Sequence, residues 1–467
     1  MKYVRLRKII ACFVVGVMLF DNFYIKEAYA AGPQTLAEAY ILIEAETGRV
    51  LRSNNPHQRI YPASMIKILS AILLTEYLDL DGVYIIGDEI NQTPHGSSIV
   101  FHRVGEAVSG ENLLRSIIMP SGNDSAMVVA MQVALAMTGD ESMSMTRAEV
   151  LFADRMTQRA RELGAVNSNF MNAHGFHHPN QFTTVYDLAL IARHAVGNED
   201  IMRMAGAQNF SGPSAVSDNP EHMIVHYGTH VWTTRNELIL QGEHHFPYAT
   251  GLRTGWNDQA GFSLIATATK DGVDLIAVIS NSPLLVDEEG NETQARWSDA
   301  RNLLEYGFDN FHHYTLDRGL LSFYRLALGG GTSGMYEVVG EDVTVFVRKG
   351  DENYIERNVV YYDAPFEIGE IIGSMLFYVH GEQIYARPLV VVNKNYIPAS
   401  NQGENPNEYN EMSDQSRTSS FIRTVFSLRA IPFWFVGVAL LLLVIYIKLK
   451  LAAHKRWRND YSLSKRY

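Results

Sequence analysis

The segment from Pro62 to Leu78 constrains the fold most. Met65, Ile66, Ile68, Leu69, Ile72, Leu73, Leu74 and Tyr77 make it apolar nearly all round. A helix without a polar face has to be enclosed by other elements, so the chain must build a core around it. Pro62 suits the first turn, where a backbone N–H is not needed. Lys67 is the anomaly, because a charged amine in such a helix is costly. A snorkelling lysine with its amine at the surface is one reading. The other involves Ser64, three residues earlier on the same helix face. An amine held in an apolar site loses basicity and, when neutral, can take a serine proton. The first turn also places Ser64 where a helix dipole favours developing negative charge. Ser-x-x-Lys alone occurs in many helices.

The surrounding sequence predicts a mixed fold. Glu111 to Ile118 and Ala126 to Met137 read as helices. Gly261 to Thr269 and Val273 to Ser280 read as strands joined by a turn at Lys270-Asp271-Gly272. Tyr40 to Glu44 and Arg49 to Arg52 form a second expected hairpin, turning at Thr47-Gly48. Strands therefore open and close the region 34–310, with helices between. Residues 316–396 hold short β runs at Val343 to Val347, Val359 to Tyr362, Met375 to Val379 and Leu389 to Val392, which read as a small all-β domain. The following stretch is rich in Asn, Glu, Ser and Gln and reads as a flexible linker.

The two ends carry targeting patterns. A basic start (Lys2, Arg5, Arg7, Lys8), an apolar run from Ile9 to Phe20 and Ala28-Tyr29-Ala30 form a secretory signal layout, cut after Ala30. Ile431 to Ile447 is apolar without a charge and at the short limit for a span. Lys448, Lys450, Lys455, Arg456 and Arg458 follow it, which expects the tail in the cytoplasm and the body outside. The expected organisation is a signal peptide (1–30), a catalytic domain (31–312), a small β domain (316–397), a linker (398–427), a transmembrane helix (431–447) and a basic tail (448–467).

Charge and cysteine content narrow the function. The net charge of −12 conceals −21 over residues 31–447. Such a body will not bind nucleic acid through bulk electrostatics, so any anionic ligand needs a local site. Cys12 is the single cysteine, which excludes a disulfide framework and a Cys-based zinc site. His174, His177, His178, His244, His245, His312 and His313 raise the question of a metal, but no H-E-x-x-H occurs. No metal and no cofactor are expected.

Two further short motifs stand in order after Ser64-x-x-Lys67. Ser121-Gly122-Asn123 precedes a helix, and Arg253-Thr254-Gly255 stands just before the Gly261 strand. Each alone reads as a plain turn or strand edge. Together the three resemble the motif set of the penicillin-recognising serine enzymes. Tyr61-Pro62-Ala63-Ser64-Met65, Asn172-Ala173-His174-Gly175, Thr184 to Ala189 and Gly251 to Ala268 are similar to one branch, the low-molecular-mass D-alanyl-D-alanine carboxypeptidases. The resemblance covers about residues 34–395.

It implies an α+β, β-lactamase-like DD-peptidase domain: a helical cluster on an antiparallel sheet. It implies Ser64 as the nucleophile, Lys67 as its proton acceptor and Ser121 as a proton relay. Asn123 would bind the substrate amide and orient Lys67. Arg253 would hold the peptide's terminal carboxylate with Thr254, and the Ser64 and Trp256 N–H groups would form the oxyanion hole, next to Gly255. The implied partners are peptidoglycan stem peptides, trimmed of a terminal D-alanine, and β-lactams, with the membrane reached through the C-terminal helix. One departure is Arg253, where the family usually has lysine; a planar fork replaces a point donor. The rival readings are a β-lactamase, for which no Glu-x-x-Leu-Asn stretch follows Ser121, and a silent wall-binding protein.

Overall fold

The computed structural model of the protein describes residues 32–214, 229–316, 324–328, 332–336, 343–361, 371–390 and 394–397. The expected signal peptide, linker, membrane span and tail lie outside these residues. No helix among the described residues is long and apolar enough to cross a membrane.

The chain runs β1 (Ala39–Glu44), β2 (Val50–Asn54), α1 (Lys67–Tyr77), β3 (Val83–Ile85), β4 (Ala107–Ser109), α2 (Gly110–Ile118) and α3 (Asn123–Thr138). Next come α4 (Met145–Glu162), α5 (Val185–Val196), α6 (Glu199–Ala205), β5 (Asn209–Pro213), β6 (Thr229–Thr233), β7 (Ala249–Gly255), β8 (Phe262–Lys270) and β9 (Val273–Ser282). Then follow β10 (Leu284–Val286), β11 (Glu292–Gln294), α7 (Arg296–Asn310), β12 (Phe311–Thr315), β13 (Tyr324–Leu328), β14 (Thr332–Tyr336) and β15 (Thr344–Arg348). β16 (Ile355–Tyr361), β17 (Ile371–Val379), β18 (Glu382–Val390) and β19 (Lys394–Ile397) end the series.

Five strands form the central antiparallel sheet, in the order β2-β1-β9-β8-β7. The expected β8–β9 hairpin forms, with Asp271 and Gly272 both at positive φ, as a two-residue turn of this hand requires. Strand alternation then builds two cores. Ile41, Ile43, Ile265, Ile276 and Val278 pack with the helical cluster around α1. Leu42, Leu264, Leu275, Ala277 and Ile279 pack on the opposite face with Trp297, Leu303 and Leu304 of α7. Capping side chains set the helix starts: Ser109 accepts from Asn112 N, Thr184 from Asp187 N and Asn198 from Ile201 N.

Two expected helices differ in their first turns. The segment from Pro62 does not begin as an α-helix; Ala63–Ile66 form a 3-10 turn before α1. Ala63 sits at φ +46, outside the α region, so the regular helix starts only beyond it. The helix expected from Ala126 begins at Asn123, which brings Asn123 into its first turn.

Chain contacts divide the protein into two units. The first contains all the elements above through β12, together with β15 and most of the β16-β17-β18 sheet. β12 pairs with β15 there, His312 opposite Val347. The second contains the sheet β13-β14-β19. Of the expected β runs, Thr344 to Val347, Val359 to Tyr361, Met375 to Val379 and Leu389 to Val390 fall in strands, Val343 stands just before β15, and Tyr362, Val391 and Val392 lie outside the described residues.

Candidate active site

The 3-10 turn positions the first pair. In this geometry residues three apart eclipse, and Lys67 Nζ lies 2.9 Å from Ser64 Oγ. Lys67 does not snorkel; it is 0% exposed. Nζ has two further partners, Asn123 Oδ1 and the His174 carbonyl, each at 2.6 Å. Both are acceptors. A neutral amine can donate its two N–H bonds to them and turn its lone pair on the Ser64 hydroxyl. Burial first, and then the Arg253 charge, hold the Lys67 amine well below its ordinary 10.5; Asp124 opposes this and Arg235 adds to it. The arrangement therefore suits a base.

The His174 carbonyl is aimed by its own loop. Ser70 Oγ donates to the Ala173 carbonyl at 2.7 Å, and Gly175 N donates to Asn172 Oδ1 at 2.8 Å. Gly175 lies at φ +88, with its Cα against the Ala63–Ser64 peptide. A Cβ there would fall on the Ala63 carbonyl and 2.8 Å from Ser64 N. The His174 ring itself points elsewhere: Nδ1 accepts from Phe176 N and Nε2 faces Glu149.

Ser121 Oγ lies 3.3 Å from Ser64 Oγ. Its backbone is at φ +74, a strained setting of the kind found at functional sites. Arg253 Nη2 donates to Ser121 Oγ in a short contact. A guanidinium has no acceptor, so the Ser121 hydroxyl proton is left to point at Ser64. Arg253 also donates from Nη1 to the Ile118 carbonyl at 2.6 Å and from Nε to the Ser64 carbonyl at 3.2 Å. The first of these caps a carbonyl at the end of α2. Arg253 is 1% exposed. Burial, with the Arg235 charge second, lowers its guanidinium to about 9, which leaves it cationic at neutral pH.

The remaining sequence-derived residues cluster here as well. Arg253, Thr254 and Gly255 lie on β7, an edge strand of the central sheet. Gly255 lets that strand close on the nucleophile turn; a Cβ would meet Met65 Cγ at 2.9 Å and the Pro62 carbonyl at 3.1 Å. Trp256 follows, 57% exposed and stacked on Phe262.

Two residues carry no motif and were not singled out from sequence. Asp124, one residue past Asn123, is buried, and its carboxylate accepts from Val100 N and His102 N. Its signal was an acid at the start of an otherwise apolar helix. Arg235 is exposed and donates to the Pro120 carbonyl at 2.7 Å and to Ser98 Oγ at 2.9 Å. It is an accessible cation on the residue next to Ser121, whereas the motif cation, Arg253, is enclosed. Among the described residues, His174, His177, His178, His244, His245 and His312 join no three-ligand cluster; His313 lies near Glu44 and Glu46.

A buried Ser–Lys pair, a second serine beside it and an edge strand across the cleft define a penicillin-recognising serine acyl enzyme. The sequence model of the D-alanyl-D-alanine carboxypeptidases matches residues 26–283, and that of the penicillin-binding protein 5 C-terminal domain matches residues 328–395. The chain belongs to the D-alanyl-D-alanine carboxypeptidase family. It is 24% identical over 400 residues to the carboxypeptidase DacF of Bacillus subtilis, covering 82% of this chain and 93% of that protein. It is 27% identical over 395 residues to DacA of Escherichia coli, covering 82% and 88%. The structure of penicillin binding protein 5 from Haemophilus influenzae superposes with a TM-score of 0.60 at 25% identity, covering 78% of this chain and 98% of that one.

Proposed function

We propose that the protein is a serine-type D-Ala-D-Ala carboxypeptidase that removes the terminal D-alanine of peptidoglycan pentapeptide stems. The observation that carries this is the threefold setting of Lys67 Nζ on Ser64 Oγ, Asn123 Oδ1 and the His174 carbonyl. Ser64 Oγ attacks the carbonyl of the penultimate D-alanine, and its proton passes to Lys67. The oxyanion is received by the Ser64 and Trp256 N–H groups. The C–N bond then breaks, and the leaving D-alanine nitrogen takes a proton through Ser121. Water, deprotonated in turn by Lys67, hydrolyses the ester and restores Ser64.

Arg253 acts in this scheme by directing the Ser121 hydroxyl. Its burial favours Arg235, with Thr254, as the holder of the substrate's terminal carboxylate. The edge strand β7 takes the extended peptide by strand addition. β-Lactams acylate the same Ser64. The catalytic unit works outside the membrane, after cleavage at Ala30, and is anchored by residues 431–447; the basic-apolar start and apolar-basic finish support this. Full-length protein incubated with penicillin should gain one adduct, located to the Ser64 peptide by mass spectrometry. A Lys67→Met variant that is labelled at the wild-type rate would overturn the assignment of the base.

A further inference from the structure

A second constellation stands behind the Ser121–Asp124 turn. His102 Nδ1 lies 3.1 Å from one Glu106 oxygen, and His230 Nε2 lies 2.7 Å from the other. One ligand atom from each side chain lies within 4.8 Å of the other two. The His102 and Glu106 side chains are 0% and 1% exposed, and that of His230 is 13% exposed. His102 comes from the loop before β4, Glu106 from the residue preceding β4, and His230 from β6. Distant parts of the chain thus bring two imidazoles and a carboxylate together out of water.

Hydrogen bonds among these groups leave the set unbalanced. His230 Nε2 faces Ser214 Oγ at 3.0 Å as well as Glu106, and one ring nitrogen carries at most one proton. Among the described residues the other nitrogen of His102, Nε2, is buried without a hydrogen-bond partner; it is Nδ1 that faces Glu106. Two histidines and a carboxylate are a zinc donor set that keeps one position open. Ligands about 2.0–2.2 Å from a tetrahedral ion stand roughly 3.3–3.5 Å apart. The observed separations of 3.1 and 2.7 Å, to opposite oxygens of Glu106, lie within about 1 Å of that spacing, and the three ligand atoms all stand within 4.8 Å of one another.

We propose that His102, Glu106 and His230 bind a divalent transition-metal ion, Zn2+ foremost, with the Ser214 side of the cluster supplying the open position. No sequence motif announces this site, because its ligands are four and 124 residues apart. The ion touches no reacting atom; these are positioning residues. His102 N and Val100 N hold the Asp124 carboxylate, and Asn123 N donates to the Ser98 carbonyl. An ion that ties residues 102–106 to β6 therefore fixes the loop on which the Ser121-Gly122-Asn123 turn leans.

The test uses the full-length protein in detergent, freed of metal with a chelator and then titrated with Zn2+ and, separately, Co2+. The expected result is about one equivalent of Zn2+ per chain and a rise in melting temperature. Co2+ should give the visible absorption of a tetrahedral N/O site. His230→Gln should lose both the binding and the Zn2+-dependent rise, while still being acylated by penicillin. If that variant fails to fold, the Co2+ spectrum of the wild type still decides the matter. Binding below a tenth of an equivalent at tens of micromolar Zn2+, or binding unchanged in both His230→Gln and His102→Gln, would overturn the proposal.

Discussion

Gly175→Ala isolates the contact that presses the 172–175 loop onto the nucleophile. The new Cβ would lie 2.8 Å from Ser64 N, where ordinary contact begins at 3.4 Å, and it would fall on the Ala63 carbonyl. The Ala63–Ser64 peptide then has to retreat by something on the order of 1 Å, and a misplacement of that size costs about 10²-fold in rate. The left-handed backbone at φ +88 adds its own penalty for alanine, roughly 1–2 kcal/mol. Overpacking contributes about 1–3 kcal/mol more. Gly139→Ala is the control: φ is +69 and nothing among the described residues lies within 4 Å, so it should bear only the backbone penalty of about 1–2 kcal/mol. Acylation by a fluorescent penicillin, followed by stopped flow, should fall about 10²-fold in Gly175→Ala and stay unchanged in Gly139→Ala. Urea unfolding of both variants separates stability from rate. A Gly175→Ala protein acylated within threefold of wild type would refute the reasoning.

Other perturbations follow from the charges of the site. Acylation should rise with pH as Lys67 loses its proton, and Arg253→Gln, by removing a neighbouring cation, should move that rise to higher pH; a pH–rate profile that stays in place contradicts the coupling. Lys67→Met should cost at least about 10²–10⁴-fold in acylation. Between the depressed folded value and the unfolded 10.5 the unfolded chain holds the extra proton, so wild-type stability climbs with pH there. Lys67→Met should flatten that climb in melting curves taken across pH. Asp124→Ala strands the Val100 and His102 N–H groups and should cost roughly 2–6 kcal/mol in urea unfolding, at about 1–3 kcal/mol for each unpaired group; a loss below about 1 kcal/mol would mean the loop finds other partners.

Much of the site was readable where side-chain chemistry clashed with its surroundings. A lysine in an apolar helix, with a serine three residues before it, announced the pair that lies 2.9 Å apart. The Asp271-Gly272 turn, the strands it joins and the short β runs beyond residue 316 followed from alternation and turn residues. What escaped was carried by the backbone or by long-range geometry. The His174 carbonyl that receives Lys67 has no side-chain signature. The 3-10 start at Ala63 depends on a positive φ that alanine does not advertise. Arg253, to which the resemblance gives the substrate's terminal carboxylate, is enclosed against Ile118 and Ser121, a setting that its sequence position does not reveal. Which helix-end carbonyl lies within reach of a guanidinium is decided only by where the fold places β7.

The most direct test of the whole account is release of D-alanine. Purified full-length protein should liberate one D-alanine from each pentapeptide ending in D-Ala-D-Ala, penicillin should block this through a covalent ester on Ser64, and Ser64→Ala should do neither. Folded wild-type protein that releases no D-alanine and takes no label, or a Ser64→Ala variant that keeps both, would contradict it.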